Sequence, residues 1–398
     1  MIRYPKMLFL FLAFLLFTGG CWDKREIEDL GFIVGIALDK ASEEGPEDET
    51  EEVVPGERTK HVITTTMQRV VAKPFAGGAE KGGGGQAKPY INSSATGDSI
   101  PESIRELMLT DDRLAFGEHA KVLVIGEELA RNMNMQHLTN RFLRGYEVRL
   151  SPIVLIAKGR ASETLEVADP GEIPAFHLIG IVDHEKKTAR LLPAVTLAKV
   201  SSKLSANSSF LLQTAIVKDK KVKFEGGAVI KGSTKRLIGF LNEQELKGLN
   251  WLTGRGKGDL VKGFDEQTHR LMVYEAQFIS SKIQPHVQGE KISFDVDIES
   301  EGSLYEDWIP AGNAFDNQFL KRVEKATQQE VKRLTGQTLK KIQKQYKVDV
   351  AGFGDQLRIQ YPRVWQKVKK DWDKEFSRAT VNVDVKITVR DYQAKGGK

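Results

Sequence analysis

The sequence predicts an α+β protein of more than one domain, each domain a mainly antiparallel sheet packed on helices. Three observations predict it. Ile292, Phe294, Val296 and Ile298 alternate with Ser293, Asp295, Asp297 and Glu299, and Val381, Val383, Val385, Ile387 and Val389 alternate with Asn382, Asp384, Lys386, Thr388 and Arg390. A period of two with one apolar face marks a strand wet on one side, the habit of antiparallel sheets. Between these strands lie two stretches with helical periodicity. Finally, 398 residues with 40% apolar and 28% charged side chains are enough to build two or three cores.

The first element is an apolar run, Met7–Phe17, preceded by Arg3 and Lys6. Crossing the hydrocarbon core takes about 20 apolar residues. Eleven residues behind basic ones suit a secretory signal instead. Thr18, Gly19 and Gly20 follow, then Cys21, which is the single cysteine of the chain. A cysteine directly after small residues resembles a bacterial lipoprotein processing site, where the thiol receives a diacylglycerol and the peptide is cut just before it. Thr18 stands where an aliphatic residue is usual. Residues 1–20 are therefore read as a lipoprotein signal peptide and Cys21 as the lipidated residue; the alternative is an uncleaved signal anchor. One acyl chain holds a protein to a membrane only marginally, and two or three hold it stably. With Cys21 acylated, no thiol remains for a disulfide, a nucleophile or a zinc site.

Phe32–Leu38 reads as a buried strand, and His61–Val71, rich in β-branched residues, as its partner. Residues 41–58 between them hold eight acids and one base; their spacing is not that of a calcium loop, and they read as solvated. Residues 74–88 are glycine-rich without the strand, helix and Lys-Ser/Thr of a phosphate loop. Ser99-Ile-Pro-Glu starts a helix, with Ser99 as cap and Pro101 in the first turn. Then come a strand at Lys121–Ile125, a helix over Glu127–Arg144, a strand at Val148–Ala157, a short helix at Ser162–Val167 and a helix over Glu172–His184. The polar run 200–209 separates an N-terminal region, 22–205, from a C-terminal domain, 206–393.

In the second half, Asn242–Thr253 reads as a helix leaving through Gly254. A strand at Leu271–Ile283 turns through Gln288-Gly289 into the alternating strand at 292–299. The first helix that follows puts Leu320, Val323, Val331, Leu334 and Ile342 on one side. Lys321, Arg322, Lys325, Lys332, Arg333 and Lys340 cover another face, within a segment holding nine Lys/Arg against Glu324 and Glu330. That face is either plain solvated surface or a docking surface for an acidic partner or anionic headgroups. A second helix behind Pro362 carries Val364, Trp365, Val368, Trp372 and Phe376 as a stripe facing the core.

Net charge excludes little by itself. The chain is at +5, and +3 once Arg3 and Lys6 are removed, too little to imply nucleic acid. The histidines, His61, His119, His137, His177, His184, His269 and His286, form no HxH or HExxH pair. Asp183-His184-Glu185 are neighbours in sequence and do not share a helix face. There is no GxSxG elbow. Gly254-Arg-Gly-Lys-Gly258 follows a helix rather than a strand, and Gly352-Phe353-Gly354 lacks the rest of a nucleotide fingerprint. No catalytic set, metal site or cofactor is expected.

Four stretches together resemble the Ger(x)C family, the C-subunit lipoproteins of spore germination. They are Gly20-Cys21-Trp22-Asp23 with Arg25-Glu26-Ile27 and Gly35-Ile36-Ala37-Leu38-Asp39; Glu118–Ala130; GGAVIKGSTKRLIGFLNEQELKGLNWLTG at 226–254; and VDVAGFGDQLRIQYPRVWQKVKKDWDKEF at 348–376. The resemblance spans nearly the whole chain beyond the signal. It implies a role rather than a reaction: a non-enzymatic, lipid-anchored subunit of a nutrient germinant receptor on the outer face of the spore inner membrane. The partners it implies are two membrane subunits, an A subunit with a large soluble domain and a B subunit similar to amino-acid transporters. It implies several α+β domains, which agrees with the elements above. The competing reading is a lipid-anchored solute-binding protein, which would need two doubly wound lobes with parallel strands around a cleft.

Overall fold

A computed structural model describes residues 30–41, 62–71, 88–144, 148–309 and 316–392. The signal, Cys21, and nearly all of the acidic and glycine-rich stretches lie outside the described residues.

Thirteen strands among the described residues form two sheets. The larger runs β3-β2-β1-β5-β6-β7-β8-β9, with β4 also on β1. Its centre comprises β1 (Leu30–Lys40), β5 (Val122–Gly126), β6 (Ile153–Lys158) and β7 (Phe210–Lys218), which pair in parallel. Both faces of that centre are covered, so β1 and β5 read as continuous apolar runs rather than as alternations. Leu123 and Ile125 point into one core, Val122 and Val124 into the other. The flanks are antiparallel: β2 (Ile63–Val70) and β3 (Tyr90–Gly97) on one side, β8 (Lys221–Lys231) and β9 (Arg236–Leu241) on the other. β4 (Leu114–Phe116) runs parallel to the start of β1.

One face of this sheet carries α1 (Ile100–Thr110), α2 (Glu127–Asn132), α3 (Met135–Arg144) and α6 (Leu197–Ser205). The other carries α4 (Ala161–Thr164) and α5 (Pro174–Val182). Ser99 caps α1 by accepting from Glu102 N, with Pro101 in the first turn, as its sequence predicts. The single helix expected over Glu127–Arg144 is instead two. Met133 is extended, and the Asn134 side chain accepts from Gln136 N at 2.8 Å, which caps a new helix at Met135. Such a local cap competes with helix continuation. The helix expected from Glu172 begins at Pro174, whose ring suits a first turn, and ends at Val182.

The smaller sheet, β10-β11-β12-β13, is built from β10 (Leu260–Phe264), β11 (Leu271–Gln288), β12 (Lys291–Asp307) and β13 (Thr380–Tyr392). β10, β11 and β12 are antiparallel, and Gly289 turns the long hairpin with φ 60°. β13 joins β12 in parallel. The helices between them bring the chain back to the end where β12 began, and a parallel pair needs such a crossover. Antiparallel ladders nonetheless supply most of the pairing in both sheets. β11 and β12 also run well past the alternating stretch, because Ser300–Asp307 stays paired without alternating cleanly.

Helices cover this sheet. α7 (Glu243–Leu252) is capped by Asn242 and Glu245, which bond each other's backbone N–H at 2.9 and 2.8 Å. α8 (Asn317–Lys340) buries Val323, Val331 and Leu334, as its periodicity predicts. α7 and α8 cross so closely at Gly248 that a Cβ there would stand 2.5 Å from Leu334 O. A π-helical turn, Lys341–Tyr346, then leads to α9 (Phe353–Gln360), α10 (Pro362–Val368) and α11 (Trp372–Arg378). The helix expected behind Pro362 is thus split. Trp372 and Phe376 are buried against Phe294 of β12 and Phe353, while Val364, Trp365 and Val368 are only half-buried.

The two sheets share one packed core. Val229 of β8 and Leu241 of β9 join the cluster that includes Trp251, Tyr274 and Phe294. Tyr346 Oη accepts from Phe240 N at 3.0 Å and donates to Phe240 O at 2.8 Å, tying the end of α8 to the edge of the large sheet. The boundary read at 205/206 falls between α6 and β7, and β7, β8 and β9 from beyond it complete the large sheet.

Candidate functional site

The basic residues singled out on α8 are largely engaged within the chain. Arg322 donates through Nε to Asp265 Oδ1 at 2.8 Å and through Nη2 to the other oxygen. The Asp265 side chain is 1% exposed, and it also accepts from Thr268 N and Oγ1 at 2.9 and 2.7 Å. The guanidinium holds the Asp265 carboxyl far below the usual carboxylate range. Lys325 meets Glu266 at 2.7 Å, Lys332 meets Asp384 at 3.2 Å, and Arg333 meets Glu330 at 2.7 Å. Lys321 meets Glu324 at 2.7 Å, and Glu324 also accepts from Val389 N of β13. Lys340 is exposed at the end of the helix. This face therefore braces α8 against the β10–β11 turn and β13. Cys21, the other residue singled out, lies outside the described residues.

A second feature, a large concavity, lies elsewhere. A cleft of about 1520 Å³ separates the α6–β7 end of the large sheet from the α9–α11 layer. Its floor is built from the sequence VDVAGFG. Asp349 is 9% exposed and turns its carboxylate back onto the chain that follows. Oδ1 accepts from the N–H groups of Ala351, Gly352 and Phe353 at 3.1, 2.9 and 3.2 Å; Oδ2 accepts from Gly354 N at 2.7 Å. These are the unpaired donors at the start of α9, which a carboxylate satisfies as a cap. Trp372 Nε1 adds a fifth donor at 2.8 Å.

Two glycines make the turn. Gly352 has φ 89°, where side chains are strained, and a Cβ on Gly354 would come within 2.6 Å of Trp372 Nε1. Trp372 stacks edge-on with Trp365 at 5.4 Å, so aromatic rings pack against the backbone at the cleft's wall. Asp373, next in the chain, joins the two sides. It accepts from Asp349 N at 3.0 Å and from Ser209 Oγ at 2.9 Å, and Ser209 Oγ accepts from Gly232 N at 3.0 Å. Burial pushes the Asp373 carboxyl above its usual range, against the lowering effect of those hydrogen bonds.

The described residues lining the cleft include ten lysines and arginines and four aspartates. Two of those aspartates, Asp349 and Asp373, are turned to donors of the chain itself. Lys203, Arg255, Arg358 and Lys370 are exposed along the rim. The arrangement is a positively charged groove on a braced floor, suited to receiving an acidic surface or segment. Among the described residues no group of three or more His, Cys, Asp or Glu is placed to hold a metal ion, and no helix is long and apolar enough to cross a membrane. Gly254 leaves α7 with φ 71°, as a helix exit. The cleft is not apparent from the sequence. The signal present was an aspartate three residues ahead of a Gly-Phe-Gly, the pattern of a side chain capping the turn that follows it.

Comparison with known proteins gives a consistent result. Residues 23–216 match the family described as "Spore germination protein N-terminal domain", and residues 225–393 match "Spore germination B3/ GerAC like, C-terminal". The chain is 44% identical to "Spore germination protein YndF" of Bacillus subtilis (strain 168), over 97% of this chain and 96% of that protein. It is 27% identical to "Spore germination protein B3" of the same organism, over 99% and 98%. Among solved structures, "Crystal Structure of the GerBC protein" superposes with a TM-score of 0.61 at 25% identity, covering 84% of this chain and 96% of that one.

Proposed function

The chain belongs to the GerAC-like spore germination family, and from that membership we propose that it is a lipid-anchored, non-enzymatic subunit of a nutrient germinant receptor. In this reading it acts with an integral-membrane A subunit and a transporter-like B subunit on the outer face of the spore inner membrane. The observation that carries the proposal is the order of parts: an apolar run and two glycines, then Cys21, then both family domains from residue 23 to residue 393. A tethered chain of this kind works by holding a braced body beside its partners. The surface that best suits such contact is the basic cleft, because it is concave and lined by ten lysines and arginines against four aspartates, two of which are turned to the chain's own donors.

Intact mass and membrane fractionation of wild type and Cys21→Ala in a Gram-positive host test the anchor. The expected result is a mature chain beginning at acylated Cys21, and a variant released from the membrane. An uncleaved chain in the membrane overturns the lipoprotein reading. Co-isolation with the receptor's membrane subunits tests the docking face. Lys203→Glu with Arg358→Glu and Lys370→Glu is expected to weaken it several-fold, and unchanged recovery removes the cleft as the contact.

The solute-binding alternative receives no support from the architecture. It requires two doubly wound lobes. Among the described residues only the large sheet has a parallel centre with helices on both faces; the small one is four strands, a long antiparallel hairpin flanked by β10 and a parallel β13, with helices against it.

A further inference from the structure

The described chain begins at Leu30, nine residues after Cys21. Nine residues reach at most about 32 Å at full extension. If Cys21 is the anchor, the end of the large sheet at which β1 starts is held within that distance of the lipid. The structure at that end has a distinctive surface.

The parallel strands β1, β4, β5 and β6 all start at this end. β4 lies beside the first residues of β1, Leu30 opposite Leu114 and Phe32 opposite Phe116. α1 runs back along the sheet and stops here. Asp111 and Asp112, just past α1, bond Arg69, whose strand position is opposite Ile33 of β1 and Ile91 of β3. Around these ties the surface is apolar. Leu109 is 79% exposed, Leu114 49%, Leu150 47%, and Met108 and Ile91 44% each. Leu150 precedes β6 and belongs to the same end through the bond from Ala198 N to its carbonyl and the Ile153–Val122 pairing. Cations stand among these side chains, Arg105 one turn before Leu109 on the same helix face, Lys121 and Arg149, each exposed; acids stand there too, Glu118 paired with Arg149 at 3.5 Å, Asp112 with Arg69, and Glu106 exposed beside Arg105. Large aliphatic side chains set among cations form the surface of proteins that lie on, rather than cross, an anionic membrane.

We infer that the β1-start end of the large sheet, with Leu109 and Leu114 at its centre, is the face that lies against the anionic lipid surface. The inference rests on the anchored reading above and deepens it. The anchor fixes distance, and these side chains fix orientation. The Asp219-Lys220 turn between β7 and β8 is at the opposite end, because Lys158 near the end of β6 pairs Ile216 near the end of β7. β1 alone separates the two ends by about 33 Å. The lipid face then leaves the far end of the sheet pointing away from the membrane. A second exposed aromatic group, Phe264, Tyr305 and Trp308 at one end of the small sheet, stays in water or against protein.

The test uses the full chain, acylated at Cys21 and reconstituted in phosphatidylglycerol–phosphatidylcholine vesicles. Acylation leaves no native thiol, so Leu109→Cys, Leu114→Cys, Lys220→Cys and Phe264→Cys each place one nitroxide label. All four positions are exposed, so folding is retained. The expected result is several-fold greater accessibility to oxygen than to an aqueous nickel chelate at 109 and 114, and the reverse at 220 and 264. Labels at 109 and 114 that behave like the one at 220, or a lipid-immersed label at 264, overturn the orientation while leaving the anchor intact. A chain that does not partition into the vesicles overturns the anchored reading, and this orientation falls with it.

Discussion

Two charged networks brace the C-terminal helices in opposite ways. At the start of α8, Asp265 is held by a guanidinium; at the start of α9, Asp349 is held by four backbone N–H groups and an indole, with no cation. The first network consumes cations, and the second consumes none. This difference explains why the most basic stretch of sequence is not the most available basic surface. Five of the six lysines and arginines of α8, all but Lys340, are matched one by one with Asp265, Glu266, Glu324, Glu330 and Asp384. Around the Asp349 shelf the ten cleft cations outnumber the four aspartates, two of which are turned to the chain's own donors, and Arg358 alone of the rim cations named above meets an acid, Asp355 at 3.6 Å. Counting charges along a sequence locates cations, whereas their availability depends on which acids the fold brings to them.

The comparison breaks most sharply at Asp349. Asp349→Ala removes one carboxylate and leaves five donors without it, most of them buried, so unpaired-donor costs of about 1–3 kcal/mol each apply to those that water cannot reach. The expected loss of stability is about 3–5 kcal/mol, read as a lower urea midpoint, together with a shift in tryptophan fluorescence as Trp372 loses its partner. A loss under about 1 kcal/mol would show that the shelf does not depend on this carboxylate.

The α8 clamp is the smaller case. Arg322→Met strips the guanidinium from Asp265, but Thr268 still donates to it and the arginine side chain is 30% exposed. Solvent screening limits the effect, and about 2 kcal/mol is expected. The pH dependence follows from the lowered carboxyl. Unfolded, Asp265 titrates near about 4; folded, it stays ionised well below that. Its contribution is fully present above the unfolded value and is lost as the pH falls below it. The stability gap between wild type and Arg322→Met should therefore narrow as the pH is lowered from 5 toward 2. A gap that is constant across that range would mean that Arg322 acts through packing on Phe319, which its guanidinium overlies at 5.9 Å.

What the sequence made legible, and what it hid, follows the same division. Local signals were reliable: the Ser99 cap, the helix exit at Gly254, the Gly289 turn, the alternation of β12 and β13, and the buried stripe of α8 all describe residues within a few positions of one another. Most signals that failed were those where a side chain leaves its own segment. One miss was local, Asn134 capping a new helix two residues on, at Gln136 N; the others were not. The helix behind Pro362 stops at Val368, and Trp372, starting a new one, carries its indole to an aspartate 23 residues earlier. The β12–β13 pair is parallel because of the crossover, which alternation alone cannot reveal. The cleft was hidden for the strongest reason: its walls come from residues near 203, 231, 255, 358 and 370, which only the packing of the two sheets brings together.

The finest distinction between the networks lies in Asp373, where burial wins over hydrogen bonding and raises the carboxyl. Unfolded, this group titrates near about 4; folded, it holds its proton to a higher pH. Between those values the native state binds more protons, so this residue's contribution to stability declines as the pH rises across the window. That is the reverse of Asp265. Asp373→Asn keeps the shape and an acceptor for Ser209 Oγ or Asp349 N, but it cannot titrate. A change within about 1 kcal/mol is expected at neutral pH. The deficit relative to wild type should be larger near pH 4, where wild type gains from native protonation, than near pH 7, where it bears a partly desolvated charge. Denaturant midpoints for both proteins at the two pH values decide the matter. A deficit that grows toward neutral pH would place a charge-stabilising partner at Asp373, the most direct candidate being Lys231 across the cleft wall, and would make this junction a second clamp of the Asp265 kind rather than its opposite.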